Sequence, residues 1–147
     1  MSAPASPLLI IASHGQLASA MLETARLILG SLEPAVAVCL TQNGTLEQLE
    51  KEIAEALVDS GAAPRPAILL VDLFGGSCSN VAAKLLRKAI VDQAPLRVIA
   101  GFNLAMLIEF AFSRERYTLD ELADRMIDAG KRACLDVNTK YLGVAGR

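Results

Sequence analysis

The chain contains one histidine, His14, at the end of the apolar run Leu8-Leu9-Ile10-Ile11-Ala12 and within Ser13-His14-Gly15. An imidazole can act as a nucleophile when a carboxylate accepts a hydrogen bond from one ring nitrogen. The tautomer is then fixed and the other nitrogen is free. The candidate carboxylate is Asp72, which follows the apolar run from Ala67 and precedes Leu73-Phe74-Gly75-Gly76-Ser77. Gly75, Gly76 and Ser77 offer a complement to that pair. Glycines let backbone approach a ligand closely, and the start of the following helix presents unpaired N–H groups and a positive dipole end, a setting that suits a phosphoryl group. The Ser77 and Ser79 hydroxyls either add hydrogen bonds there or cap the helix, Ser79 being the better cap. A lone histidine is as often a residue without a role, and two glycines can simply make a turn. What favours chemistry at His14 is the coincidence of a strand end, a carboxylate and a glycine loop.

The elements that must position these residues alternate. The run from Leu8 to Ala12 predicts a strand buried on both faces, followed by a helix with Leu17, Met21, Thr24-Ala25 and Ile28 on its inner face, stopping at Gly30. Ala35 to Leu40 predicts a second strand closed by Asn43-Gly44. Thr45 with Gln48 then forms a capping box ahead of a helix lined by Leu46, Leu49, Ile53 and Leu57. A third strand is expected over Ala67 to Leu73, then a helix with Val81, Ala82, Leu85, Leu86 and Ala89 inward. Arg97 to Ala100 predicts a fourth strand, Asn103 opens an apolar helix to Phe112, and a Thr118–Glu121 capping box starts a last helix. Strands alternating with helices imply α/β architecture: a doubly wound, mainly parallel four-stranded sheet with helices on both faces. In such sheets chemistry gathers beyond the carboxyl ends of the strands, where the strand order switches. If the first and third strands are neighbours, His14 and Asp72 lie side by side. The expected organisation is a flexible N-terminus over 1–7, one domain over 8–136, and a C-terminal tail over 137–147 that is extended or mobile.

Composition narrows the function classes. The 147 residues are 53% hydrophobic and 20% charged with a formal net charge of −2, which describes a globular domain without the basic surface a nucleic acid requires. The most apolar window, Leu104 to Phe112, contains Glu109 and falls far short of the roughly 20 residues of a membrane span. Met1 to Pro7 carries no Lys or Arg and does not resemble a signal peptide. A cytoplasmic protein with no direct membrane insertion is therefore expected. Cys39, Cys78 and Cys134 form no CxxC pair and share at most one histidine, so neither a disulfide framework nor a metal site is expected, and no cofactor.

Neighbouring chemistries are excluded on the same residues. A histidine phosphatase needs further histidines. A nucleotide-binding P-loop needs a lysine after its glycines, and Gly75 to Asn80 has none. A response-regulator receiver needs an acidic pair after the first strand to hold magnesium, and Ser13-His14 stands there.

The sequence resembles the IIA components of the mannose/fructose/sorbose type in the bacterial phosphoenolpyruvate-dependent sugar phosphotransferase system. The resemblance runs from about Leu8 to Asp136. It is carried by Ile11-Ala12-Ser13-His14-Gly15 with Ala18, by Val71-Asp72-Leu73-Phe74-Gly75-Gly76-Ser77 with Asn80, and by Ala100-Gly101-Phe102-Asn103-Leu104 with Met106-Leu107. It implies that His14 accepts a phosphoryl group from HPr and passes it to a IIB component, a protein-histidine phosphotransferase activity with a phosphohistidine intermediate. It also implies that Asp72 orients His14, that Ser77 lies beside them, and that the protein forms a homodimer. Phe74 and the segment from Leu104 to Leu107 either dock these partners or pack in the core. Two positions depart from the family pattern: Cys78 and Ala105 stand where prolines are usual. The chain also ends without an Ala/Pro-rich linker and IIB domain, so a free-standing IIA with a separate acceptor is expected. A regulatory module, whose phosphorylation state controls other proteins without sugar transport, would use the same site residues.

Overall fold

The computed structural model describes residues 6–58 and 65–143. Four strands, β1 (Leu8–His14), β2 (Ala35–Leu40), β3 (Ala67–Val71) and β4 (Leu96–Ala100), form one sheet in the order β2-β1-β3-β4. All three pairings are parallel. The helices are α1 (Leu17–Leu29), α2 (Leu46–Val58), α3 (Ser77–Val91), α4 (Leu104–Ser113), α5 (Leu119–Ala133) and α6 (Val137–Leu142). The architecture is the expected α/β sheet covered on both faces, and β1 and β3 are neighbours.

Because side chains alternate across a strand, the sheet serves two cores. Leu9, Ile11, Ile68, Leu70 and Ile99 face α1, α4 and α5, where Leu22, Phe110, Leu122 and Met126 are buried against them. Leu8, Ile10, Ala12, Leu69 and Val71 face α2 and α3, meeting Leu49, Ile53, Val81 and Leu85. β1 and β3 are buried along almost their whole length, which is why they read as unbroken apolar runs rather than alternating ones.

Both expected capping boxes are present. The Thr45 hydroxyl accepts from the Gln48 N–H at 3.1 Å while the Gln48 side chain accepts from the Thr45 N–H, and Thr118 and Glu121 do the same for α5. Asn103 caps α4 by accepting from the Met106 N–H.

Several expectations need correction. The buried face of α1 is Ala18, Leu22 and Ala25 with Met21 packed at its margin, so Met21 and Ala25 of the expected stripe face the core, whereas Leu17 and Ile28 are exposed. β3 ends at Val71, not Leu73. Ser79 does not cap α3: the N-cap is Gly76 in extended conformation, and Ser79 lies within the first turn. The tail carries a short helix, α6, because Asp136 accepts from the Asn138 N–H at its start and Gly143, at φ 71°, terminates it. At the other end, residues 1–5 of the expected flexible N-terminus lie outside the described residues. The Ser6 carbonyl accepts a 2.8 Å hydrogen bond from the Arg65 guanidinium, which ties Ser6 to the segment leading into β3.

Candidate active site

His14 is the last residue of β1, and Asp72 is the first residue beyond β3. With β1 and β3 paired in register from Leu8↔Ala67 to Ala12↔Val71, both side chains emerge at the carboxyl edge of the sheet. The switch in strand order falls there too, since the chain passes from β1 outward to β2 and then back to β3 on the other side of β1.

One Asp72 oxygen, Oδ2, accepts two hydrogen bonds from His14. The backbone N–H donates at 2.9 Å, and the ring Nδ1 lies at 2.9 Å as well. An ionised carboxylate only accepts, so Nδ1 carries the proton and Nε2 keeps its lone pair. The His14 side chain is 46% exposed and that of Asp72 11% exposed, so the imidazole is open to solvent while the carboxylate is largely covered. Burial on its own raises the Asp72 pKa. The backbone and ring hydrogen bonds from His14 outweigh burial and hold the carboxyl below its ordinary value. Asp72 is thus ionised at neutral pH.

Ser13 fixes the turn that presents His14. It is fully buried, and its hydroxyl accepts from the Ala18 N–H at 2.7 Å, satisfying a donor in the first turn of α1 that has no carbonyl partner. Gln16, the residue at the N-cap of that helix, makes no such bond. The sequence reading missed this role. The signal was available in Ser13 itself, a capping residue type lying just ahead of a helical pattern.

The glycine loop closes the site from the α3 side. A Cβ on Gly76 would stand 3.2 Å from His14 Cε1 and 3.7 Å from Leu73 Cδ2, so the imidazole lies over this glycine. Gly75 has φ +83°, a conformation that L side chains rarely adopt. Because Gly76 has no side chain with which to cap α3, the leading N–H groups of that helix, beginning at Ser77, have no side-chain cap and point toward the sheet edge. Ser77 is half-buried at this helix start.

Cys78, also in the first turn of α3, is fully buried. Burial first, and the Asp72 charge second, push its thiol up to about 11. It is a neutral thiol at neutral pH and no competing nucleophile. Around the site Phe74 is 86% exposed and Leu73 61%, whereas Met106 and Leu107 are buried. Of the two apolar segments considered for docking, the Phe74 edge faces solvent and these two α4 residues pack in the core. No helix among the described residues is long and apolar enough to cross a membrane.

Comparison with known proteins bears on the same segments. Residues 8–127 match the family model described as "PTS system fructose IIA component". The chain is 29% identical over 140 residues to the mannose-specific EIIAB component of the phosphotransferase system of Escherichia coli (strain K12), covering 90% of this chain and 40% of that protein. It is 29% identical over 117 residues to the fructose-specific EIIA component of Bacillus subtilis (strain 168), covering 80% of this chain and 77% of that one. The solved mannose/sorbose-specific IIA subunit from Enterococcus faecalis superposes with a TM-score of 0.75 at 35% identity, over 90% of this chain and 96% of that one. The chain thus spans less than half the length of the EIIAB relative and most of the length of the EIIA proteins. The matched region contains the four strands, His14, Asp72 and the glycine loop, and the chain belongs to the phosphotransferase-system IIA family of the fructose/mannose type.

Proposed function

We propose that this protein is a phosphoryl relay of the sugar phosphotransferase system, in which His14 accepts a phosphoryl group from HPr and passes it to a IIB component. The observation that carries this reading is the double hydrogen bond from His14 to Asp72 Oδ2, which orients the ring and leaves Nε2 as the nucleophile. Family membership supports the reaction class, and the geometry supports the roles given to His14 and Asp72.

In the first step, Nε2 attacks the phosphorus of phospho-HPr. A P–N bond forms at His14 as the P–N bond to the donor histidine breaks. The phosphorylated ring is electron-poor, and the Nδ1–H to Asp72 hydrogen bond stabilises it. The helix-start N–H groups beyond Gly76 favour the added negative charge. In the second step the same bond breaks toward the acceptor, and His14 returns to the neutral tautomer. Neither step requires the ring to turn. Exposed Phe74 and Leu73 beside the histidine offer a docking surface to both partner proteins.

The test is to incubate the purified protein with labelled phosphoenolpyruvate, enzyme I and HPr. Acid-labile, base-stable label on this chain is expected, and none on His14→Ala. Label persisting in that variant, or no label on the wild type, contradicts the proposal.

A further inference from the structure

We propose that His14, Asp72 and Cys78 together form a binding site for a thiophilic divalent transition metal, represented by Zn2+, and that metal there silences His14. The first half stands on geometry alone, and the second rests on the phosphoryl-relay reading.

An imidazole nitrogen, a carboxylate oxygen and the Cys78 Sγ all lie within 4.8 Å of one another. They come from the end of β1, the residue after β3 and the first turn of α3, elements that the sheet and its helix hold in place. Nitrogen, oxygen and sulfur in this combination are a zinc donor set. At metal–ligand lengths of roughly 2.0–2.3 Å, ligand atoms on one tetrahedral ion stand about 3.3–3.7 Å apart. The 2.9 Å between Nδ1 and Oδ2 and the 4.8 Å limit bracket that separation, so side-chain adjustments suffice to admit an ion. His14 is open to solvent, which gives the ion an entry path and a fourth position for water.

A second observation points to the same place. Among the described residues, Asp72 Oδ1 is buried with no hydrogen-bond partner. A buried carboxylate oxygen left unpaired is costly, and a cation between Asp72 and Cys78 would satisfy it. On binding, the Cys78 thiol loses its proton to solvent and coordinates as thiolate. The ion takes Nδ1, whose proton passes through solvent to Nε2, together with the Asp72 carboxylate, so the nitrogen that phosphoryl transfer uses is protonated and its anchor is engaged. Metal and productive phosphorylation therefore exclude one another. The ligands are scattered along the chain and lack any metal-motif spacing, so residue spacing alone does not reveal the site.

The test uses Co2+ as a spectroscopic probe on the purified full chain, kept reduced with a non-chelating reductant. A stoichiometric thiolate-to-cobalt charge-transfer band is expected, displaced by Zn2+. Cys78→Ala and the near-isosteric Cys78→Ser should abolish it and weaken Zn2+ binding by more than the roughly 10- to 100-fold typical of losing an outer-shell partner. Cys39→Ser and Cys134→Ser should retain it. Circular dichroism identifies any misfolded variant, and the serine variant serves if the alanine one fails. Absence of the band, or its survival in a folded Cys78 variant, overturns the site. In the labelling assay, the ratio of His14 phosphorylation with and without Zn2+ should fall at least tenfold in the wild type and stay near one in the Cys78 variant, which also controls for metal acting on the donor proteins. Equal ratios in the two proteins overturn the silencing. No labelling even without metal would refute the relay reading, while the cobalt spectrum would still decide the site.

Discussion

A single oxygen of Asp72 receives both the backbone and the ring hydrogen bond of His14, so a change there alters charge, tautomer and position together. Asp72→Asn keeps the shape but replaces the charged acceptor with a neutral amide. A hydrogen bond to a charged group contributes roughly 1.5–3 kcal/mol, and phosphoryl transfer should slow about ten- to a hundredfold in rapid-quench measurements, with the thermal midpoint little changed. The two glycines separate by the same reasoning. Gly76→Ala brings a Cβ to 3.2 Å from the imidazole, which must shift by a few tenths of an ångström against its Asp72 anchor, so transfer should drop severalfold. Gly75→Ala meets open space but a left-handed backbone, and should show up as about 1–2 kcal/mol of lost stability in urea unfolding. His14 and Asp72 were legible in the sequence because strand ends in a parallel sheet are where such pairs meet. Cys78 was not recognised as their neighbour, since the reach of a helix's first turn toward an adjacent loop leaves no mark on residue spacing.

At the scale of elements, the junction of β1 and α1 is the decisive piece. The Ser13 hydroxyl holds the Ala18 N–H at 2.7 Å and so fixes how the turn carrying His14 leaves the strand. Ser13→Ala leaves that donor unsatisfied in a buried setting and should cost about 1–2 kcal/mol. The urea midpoint should fall with an unchanged slope, and transfer should slow alongside it. An unchanged midpoint would mean the hydroxyl does not support α1. The capping boxes were readable because each rests on local residue types, whereas the pairing of β1 with β3 joins distant segments and stood only as a condition. The inner face of α1 was readable in part. Ala25 and the partly buried Met21 do face the core, but Leu17 and Ile28 are exposed while Ala18 and Leu22 are buried, so the expected stripe was only partly the buried one.

For the whole molecule, two cores share one sheet, and side-chain contacts join the helices at its rim. Glu109 on α4 accepts from the Ser113 hydroxyl at 2.6 Å and from Arg125 on α5 at 2.9 Å. The Ser113 bond outweighs burial, Arg125 adds to it, and the Glu109 carboxyl sits below its ordinary value. Glu33, at the start of β2, is likewise lowered, first by the Ala35 backbone N–H and then, against burial, by Arg26 and Arg114. With folded values below unfolded ones, the unfolded chain binds more protons in acid. These contacts therefore stabilise fully above the ordinary carboxylate value near 4.5 and are lost as pH falls through the lower folded values. The urea midpoint should be flat from neutrality down to about pH 5 and decline below it, less steeply in Glu109→Gln. The sheet itself was legible throughout, since apolar runs buried on both faces permit few arrangements. The tail was not, because α6 rests on the Asp136 and Gly143 caps rather than on an apolar face.

Asp72 holds Nδ1, which under the proposed relay leaves Nε2 to carry the phosphoryl group. Phosphorus NMR of the phosphorylated, nitrogen-15-labelled protein reads this directly through the coupling between phosphorus and the ring nitrogen to which it is bonded. Phosphorus bonded to Nε2 of His14 is the expected result. Phosphorus on Nδ1, or on any other residue, would contradict the account.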